Sequence, residues 1–178
     1  MTSKILITGP PRCGKSTLML RILNYYKGKR TIYGFLTPEV KRNNQRIGFD
    51  IEDIRIRQRF ELARKDKSYK GRYRIGKYRV FTKNLDNYIE TYQKLELSPQ
   101  HLIIVDEIGK MELYSENFQD FVKNIFSLDV NVMATIGKTL RHPLKDKILK
   151  ITRLELHNLT RQNQELIFQK LSRECKVS

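Results

Sequence analysis

The stretch KILITGPPRCGKSTL, residues 4–18, constrains this chain more than any other: an apolar run ends abruptly in a loop spaced G-x-x-x-x-G-K-S. An apolar run without polar alternation reads as a short strand, Lys4–Thr8, covered on both faces. From Lys15 the residues Leu18, Ile22 and Tyr25/Tyr26 fall at helical spacing, and the pattern ends near Gly28. A strand that turns into a helix through such a loop points successive backbone N–H groups inward. Side chains must then be absent at Gly9 and Gly14 if an anion is to approach. The helix aims its unsatisfied N–H groups and positive dipole end at the same place. Gly9, Pro10, Pro11, Arg12, Cys13, Gly14, Lys15, Ser16 and Thr17 are therefore the expected nucleotide-contacting segment. Lys15 supplies a charge for the β- and γ-phosphates, and the Ser16 hydroxyl is a hard oxygen ligand for Mg²⁺. Pro11 stands where a third glycine is frequent, and its ring removes one N–H, so the cradle is expected to lean on the donors after it. Cys13, facing a helix N-terminus, reads either as an oxidisable thiol or as a small filler.

A length of 178 residues suits one domain. No apolar run approaches the roughly 18 residues needed to span a bilayer, and a secretory leader is not expected. Cys13 and Cys175 make no metal-ligand spacing, which points to a reducing compartment, the cytoplasm. The formal net charge is +16, from 35 Lys and Arg against 19 Asp and Glu, and it favours polyanionic partners. Half of it sits in residues 38–82, where 14 basic residues face 6 acidic ones.

Residues 46–65 alternate apolar and charged side chains with period 2, as antiparallel strands with one wet face do, so a basic β-hairpin insert is expected over about 38–82. The tail of that segment, 67–82, is rich in Gly, Tyr and Arg and reads as a mobile basic loop entering a short strand. Helices are expected over Thr82–Leu97, Ser115–Phe126, Leu140–Leu149 and Thr160–Cys175, and Ser115 with Phe118, Phe121, Val122 and Ile125 fits a capped amphipathic set. Strands are expected over 31–37, 101–109, 130–137 and 151–157. This alternation predicts an α/β fold with a mostly parallel, doubly wound sheet.

HLIIVDEIG, residues 101–109, is a second buried strand ending in acids. A carboxylate there, Asp106, is placed to hold a metal ion opposite the loop hydroxyl, and Glu107 to polarise an attacking water. Thr37 and Glu39 sit at another strand end, where they either face the γ-phosphate or cap the turn at Pro38. Arg12 and Arg141 are candidates for a charge-neutralising arginine, and His142 before Pro143 reads as structural.

GPPRCGKSTL (9–18), GFLTPEV (34–40), RIGFDI (46–51), RIGKYRV (74–80) and VDEIGKMEL (105–113) occur in the order and spacing of a known family. In these motifs the chain resembles the THEP1-type nucleoside-triphosphatases, small P-loop proteins, and VNVMATI and HPL (142–144) extend the resemblance over nearly the whole length. The resemblance implies a RecA-like or kinase-like P-loop NTPase core and slow, Mg²⁺-dependent hydrolysis of ATP, GTP, CTP and UTP to diphosphates with weak base selectivity. It matches Lys15 and Ser16 to the loop lysine and metal hydroxyl, Asp106 and Glu107 to the metal-side acid and base, and Lys110 to the lysine of the DEIGKMEL octet. Tyr78 belongs to the shared pattern of the basic stretch. Where the family has an Asn-Arg pair before the last helix, this chain has Asn163-Gln164.

Arg72, Arg74, Lys77 and Arg79, interleaved with Tyr69, Tyr73 and Tyr78, suit three roles: a nucleotide lid with stacking rings, a nucleic-acid groove, or a solvated face. The activity expected first is triphosphate hydrolysis by a monomer. The alternatives are a nucleotide or polynucleotide kinase and an ATP-dependent nucleic-acid binder.

Overall fold

The computed structural model describes residues 2–174, so Cys175 lies outside the described residues. In chain order, β1 (Lys4–Gly9) leads into α1 (Lys15–Tyr26), which returns to β2 (Ile32–Leu36). Five strands follow, β3 (Glu39–Arg42), β4 (Gln45–Asp53), β5 (Arg59–Lys65), β6 (Arg74–Ile75) and β7 (Tyr78–Val80). The chain then runs through α2 (Thr82–Glu90), β8 (Leu102–Ile108), α3 (Glu116–Ser127), β9 (Asn131–Gly137), α4 (Pro143–Leu149), β10 (Leu154–Asn158) and α5 (Gln164–Glu174).

All ten strands join one mixed sheet, ordered β10-β1-β9-β8-β2-β4-β5-β7-β6 with β3 paired to β4. From β10 to β2 every pairing is parallel, and beyond β2 every pairing is antiparallel. The parallel half is covered on both faces, as its unbroken apolar runs demand. Ile5 and Ile7 of β1 pack under α1 and α5 with Leu18, Ile22 and Leu171, whereas Leu6 packs with the α2, α3 and α4 residues Leu85, Phe118 and Leu144. Each such Ile or Leu contributes about 1.5–3 kcal/mol of burial. Parallel strands share their C-terminal edge, so the residues that end β1, β8 and β9 emerge together, where open α/β sheets place ligands.

Residues 39–80 extend this same sheet rather than standing apart from it. The stretch expected as a mobile loop pairs over 74–80 as the β6–β7 hairpin, because Tyr78 and Val80 are anchored in the core. The helix expected to reach Leu97 stops at Glu90: the Thr91 hydroxyl donates to the Tyr88 carbonyl at 2.7 Å, competing with the helical ladder, and a 3₁₀ turn follows over Tyr92–Lys94. Helix α4 begins later than expected, with Pro143 in its first turn and His142 as N-cap accepting from the Leu144 N–H at 3.1 Å. Residues 160–163 are a capping turn rather than helix, in which the Asn163 side chain accepts from the Thr160 N–H at 2.8 Å. Ser115 caps α3 as expected, accepting from the Phe118 N–H at 2.9 Å.

Lys4 closes the opposite end of α3. Its buried ammonium donates to the carbonyls of Ile125, Leu128 and Val130, each at 2.7 Å, which satisfies groups a helix C-terminus leaves open. Burial pulls this amine down to about 8. Lys4→Met removes all three bonds and keeps the stem, so we expect a loss of about 1–3 kcal/mol in chemical denaturation. A change under 0.5 kcal/mol would show the three bonds to be dispensable.

Candidate functional site

The loop after β1 folds tightly because two of its residues take left-handed backbone, Arg12 at φ 62° and Gly14 at φ 99°. The non-glycine residue that accepts left-handed backbone in this loop is Arg12, next to the Pro11 that stands where a third glycine is frequent. Gly9 has no room for a side chain: an added Cβ would lie 2.6 Å from both the Cys13 sulfur and the Leu159 carbonyl. Cys13 packs in the apolar cluster beneath the loop, so the filler reading holds and the thiol does not face the cleft. Helix α1 carries neither a side-chain N-cap nor an acid in its first turn. Its open N–H groups point at the hollow of the loop, ready for an anion.

Across the cleft, β8 delivers the acids. The ladder between β8 and β9 skips Asp106 and Glu107, and the peptide joining them is cis. Asp106 is buried, accepts from the Thr135 hydroxyl at 2.5 Å, and is hydrogen-bonded by Ser16. Burial pushes its carboxyl up, opposed by those two hydroxyls and by the Lys15 charge. Thr37 donates to the Asp106 carbonyl at 2.7 Å, fixing the same strand end from β2. The Glu107 side chain is 37% exposed and lies 3.9 Å from the Lys15 ammonium, which also donates to the Gly9 carbonyl at 3.3 Å. Partial burial raises the Glu107 carboxyl, with Lys15 acting against the rise and Asp106 adding to it. Glu112 is buried close to both, its carboxyl pushed up to about 8 by burial and then by the Glu107 and Asp106 charges.

Lys15, Ser16, Thr37, Glu107 and Glu112 line one cleft of about 870 Å³, while Asp106 and Thr135 are buried outside its lining and Asp106 is linked to it through Ser16. Of the expected loop residues, Gly9, Pro11, Arg12, Gly14, Lys15, Ser16 and Thr17 face it, and Pro10 and Cys13 do not. Thr37, Glu39, Glu107 and Lys110 face it as well. Arg141 is exposed and outside the lining, and Tyr78 belongs to a neighbouring pocket with its ring buried. A Ser hydroxyl and an Asp carboxylate within hydrogen-bond reach of each other are the donor pair that Mg²⁺ takes from protein when phosphates and water complete its shell. No cluster of three or more His, Cys, Asp or Glu among the described residues forms a full metal cage, so a cation here would depend on those phosphates.

Three contributors escaped the sequence reading. Thr135 is a hydroxyl in an otherwise apolar strand, a usable signal once β9 is known to lie beside β8. Glu112 stands inside the quoted octet without an assigned role. Gln164, noted only as a departure, donates to the Cys13 carbonyl at 2.8 Å and packs against Gly14, clamping the loop from α5.

The comparisons agree with this geometry. A family model described as NTPase matches residues 4–172. The nucleoside-triphosphatase THEP1 of Archaeoglobus fulgidus is 32% identical over 170 residues, covering 96% of this chain and 97% of the relative. That of Thermotoga maritima is 35% identical over 168 residues, covering 94% and 92%. Among solved structures, THEP1 from Aquifex aeolicus superposes with a TM-score of 0.80 at 34% identity, covering 94% of this chain and 96% of that one. A human cancer-related nucleoside triphosphatase gives 0.81 at 27% identity, covering 96% and 95%. With its phosphate loop, its acidic strand end and its whole length matched in this way, the chain belongs to the NTPase family of the THEP1 nucleoside-triphosphatases.

Proposed function

We propose that this protein hydrolyses nucleoside triphosphates to diphosphates and phosphate in the presence of Mg²⁺, with weak preference among ATP, GTP, CTP and UTP. The observation that carries the reading is the convergence of Lys15, Ser16 and Glu107 on one cleft, with the Glu107 carboxylate 3.9 Å from the Lys15 ammonium and the buried Asp106 hydrogen-bonded to Ser16. The loop N–H groups and Lys15 hold the phosphates and neutralise charge that builds toward the β–γ bridging oxygen. Glu107, when ionised, orients a water toward the γ-phosphorus and takes its proton as the new P–O bond forms and the bridging bond breaks. Mg²⁺ held by Ser16 and the Asp106 side would add Lewis-acid stabilisation of the phosphate oxygens. Weak base selectivity is supported by the apolar part of the lining, Phe49, Ile75, Met111 and Leu140, because apolar and aromatic faces pack against any base.

Phosphate release from the four triphosphates, with Mg²⁺ and with EDTA, tests this. We expect rates within about tenfold of one another and loss of activity in EDTA. Phosphate release undiminished by EDTA would overturn the metal requirement. Labelled phosphate passing to a hydroxyl acceptor faster than it appears free would make the protein a kinase. No helix among the described residues is long and apolar enough to cross a membrane.

A further inference from the structure

Beside the nucleotide cleft lies a second pocket of about 570 Å³, lined by the cations Arg12, Lys41, Arg46, Lys65 and Lys77 against one carboxylate, Glu39. Arg12, Glu39 and Arg46 form the wall shared with the cleft. Two turns and a strand end build this pocket. The β3–β4 turn, closed by Asn43 at φ 49° and Asn44 at φ 58°, carries Lys41 and Arg46 on either side. Lys65 ends β5, and Lys77 sits in the β6–β7 turn, whose carbonyl accepts from the Asp66 N–H at 2.9 Å. Backbone pairing thus brings the cations together.

Glu39 is already engaged by Arg46 at 2.7 Å and by Lys41 at 3.6 Å. Arg12, Lys65 and Lys77 face no carboxylate in the pocket. A concave surface with this imbalance recruits an anion, and the shared wall keeps that anion close to the bound triphosphate. The aromatic component argues against a nucleic-acid strand. Tyr78 is 7% exposed, its ring packs edge-on to Phe49 at 5.7 Å with Lys77 5.6 Å above it, and its hydroxyl accepts from Arg46 at 3.1 Å. Tyr73 is packed on Tyr114, and Tyr69 lies under Arg79. A lid or a strand-binding role needs free ring faces for stacking, and the buried Tyr78 offers none.

We propose that this pocket is a second phosphate-binding site, which takes the phosphate group or groups of a small phosphorylated molecule while a nucleotide occupies the adjacent cleft. The inference rests on the nucleotide-binding reading of that cleft. Protein saturated with Mg²⁺ and a non-hydrolysable ATP analogue is titrated calorimetrically with inorganic pyrophosphate and, separately, with AMP. At least one is expected to bind one-to-one without displacing the analogue, and the tighter of the two distinguishes an oligophosphate from a phosphomonoester. Replacing Lys41, Lys65 and Lys77 together by alanine, side chains that line only this pocket, should weaken that binding at least tenfold and change KM for ATP less than twofold. Absence of binding for both probes, or binding indifferent to the triple substitution, overturns the proposal. So does a 5′-hydroxyl oligonucleotide that binds as tightly as its 5′-phosphorylated form and tighter than either probe, which would make the surface a strand-binding one. Failure of the analogue to bind would sink the nucleotide reading instead, and the pyrophosphate titration of parent against triple variant would still decide the pocket.

Discussion

Lys15→Ala is expected to lower kcat/KM for ATP by roughly 10³-fold, within the range seen when a preorganised positive donor is removed from a phosphoryl-transfer site. Its side chain is only 10% exposed, so its charge acts in a partly desolvated cleft, where it is screened less than at the surface. Among the described residues the other cations of the cleft stand elsewhere, Arg12, Lys110 and Lys138 on loops and Arg46 on β4, while Lys15 opens α1 itself. The loss should appear in both binding and turnover, because the same ammonium neutralises the ground-state triphosphate and the charge that grows during bond cleavage. Circular dichroism and thermal unfolding should stay near the parent's, since the side chain's contacts, the Gly9 carbonyl and Glu107, both lie within the site. A variant that retains a tenth or more of the parental kcat/KM would remove Lys15 from the mechanism.

Glu107→Gln is expected to reduce kcat by about 10²–10⁴-fold and to leave KM nearly unchanged. The amide keeps the shape of the carboxylate but cannot take a proton from water. The pH profile provides the sharper check. Burial raises the Glu107 carboxyl above its ordinary range, and only its ionised form serves as base. The parental rate should therefore fall as pH drops through that raised value, placing the acid limb above the roughly 4.3 of an unperturbed glutamate. In the glutamine variant the residual rate should lose that limb. A limb persisting unchanged in the variant would assign the titration to another group and the base role with it.

The parallel half of the sheet was legible because physics leaves it little choice: β1, β8 and β9 are short apolar runs, and such runs need cover on both faces. Gly9 and Gly14 were legible for a related reason, since each stands where a side chain would collide, and Ser115 was legible as a cap from its place before an amphipathic run. What escaped was made by contacts between distant parts of the chain. Nothing local marks Gln164 as a partner of Cys13 across 151 residues, or Thr135 as the holder of Asp106. The tyrosines of the basic stretch looked available because their neighbours are charged, yet Tyr78 is held inside by the β5–β7 pairing. Arg12 was read as a charge, and its more telling property is the backbone angle it accepts.

The Gln164 clamp bears on the order in which this molecule can become competent during synthesis. The loop emerges first, but Leu159 and Gln164 brace it and β10 flanks β1, so these late residues must leave the ribosome before the loop has its finished shape. A nascent chain carrying everything up to β9 would already own its acids, its lysine and its serine, but it would lack the brace that holds them to one geometry. The finished shape of the loop therefore depends on residues that follow it by as many as 151 positions, and on β10 and α5 being in place around it.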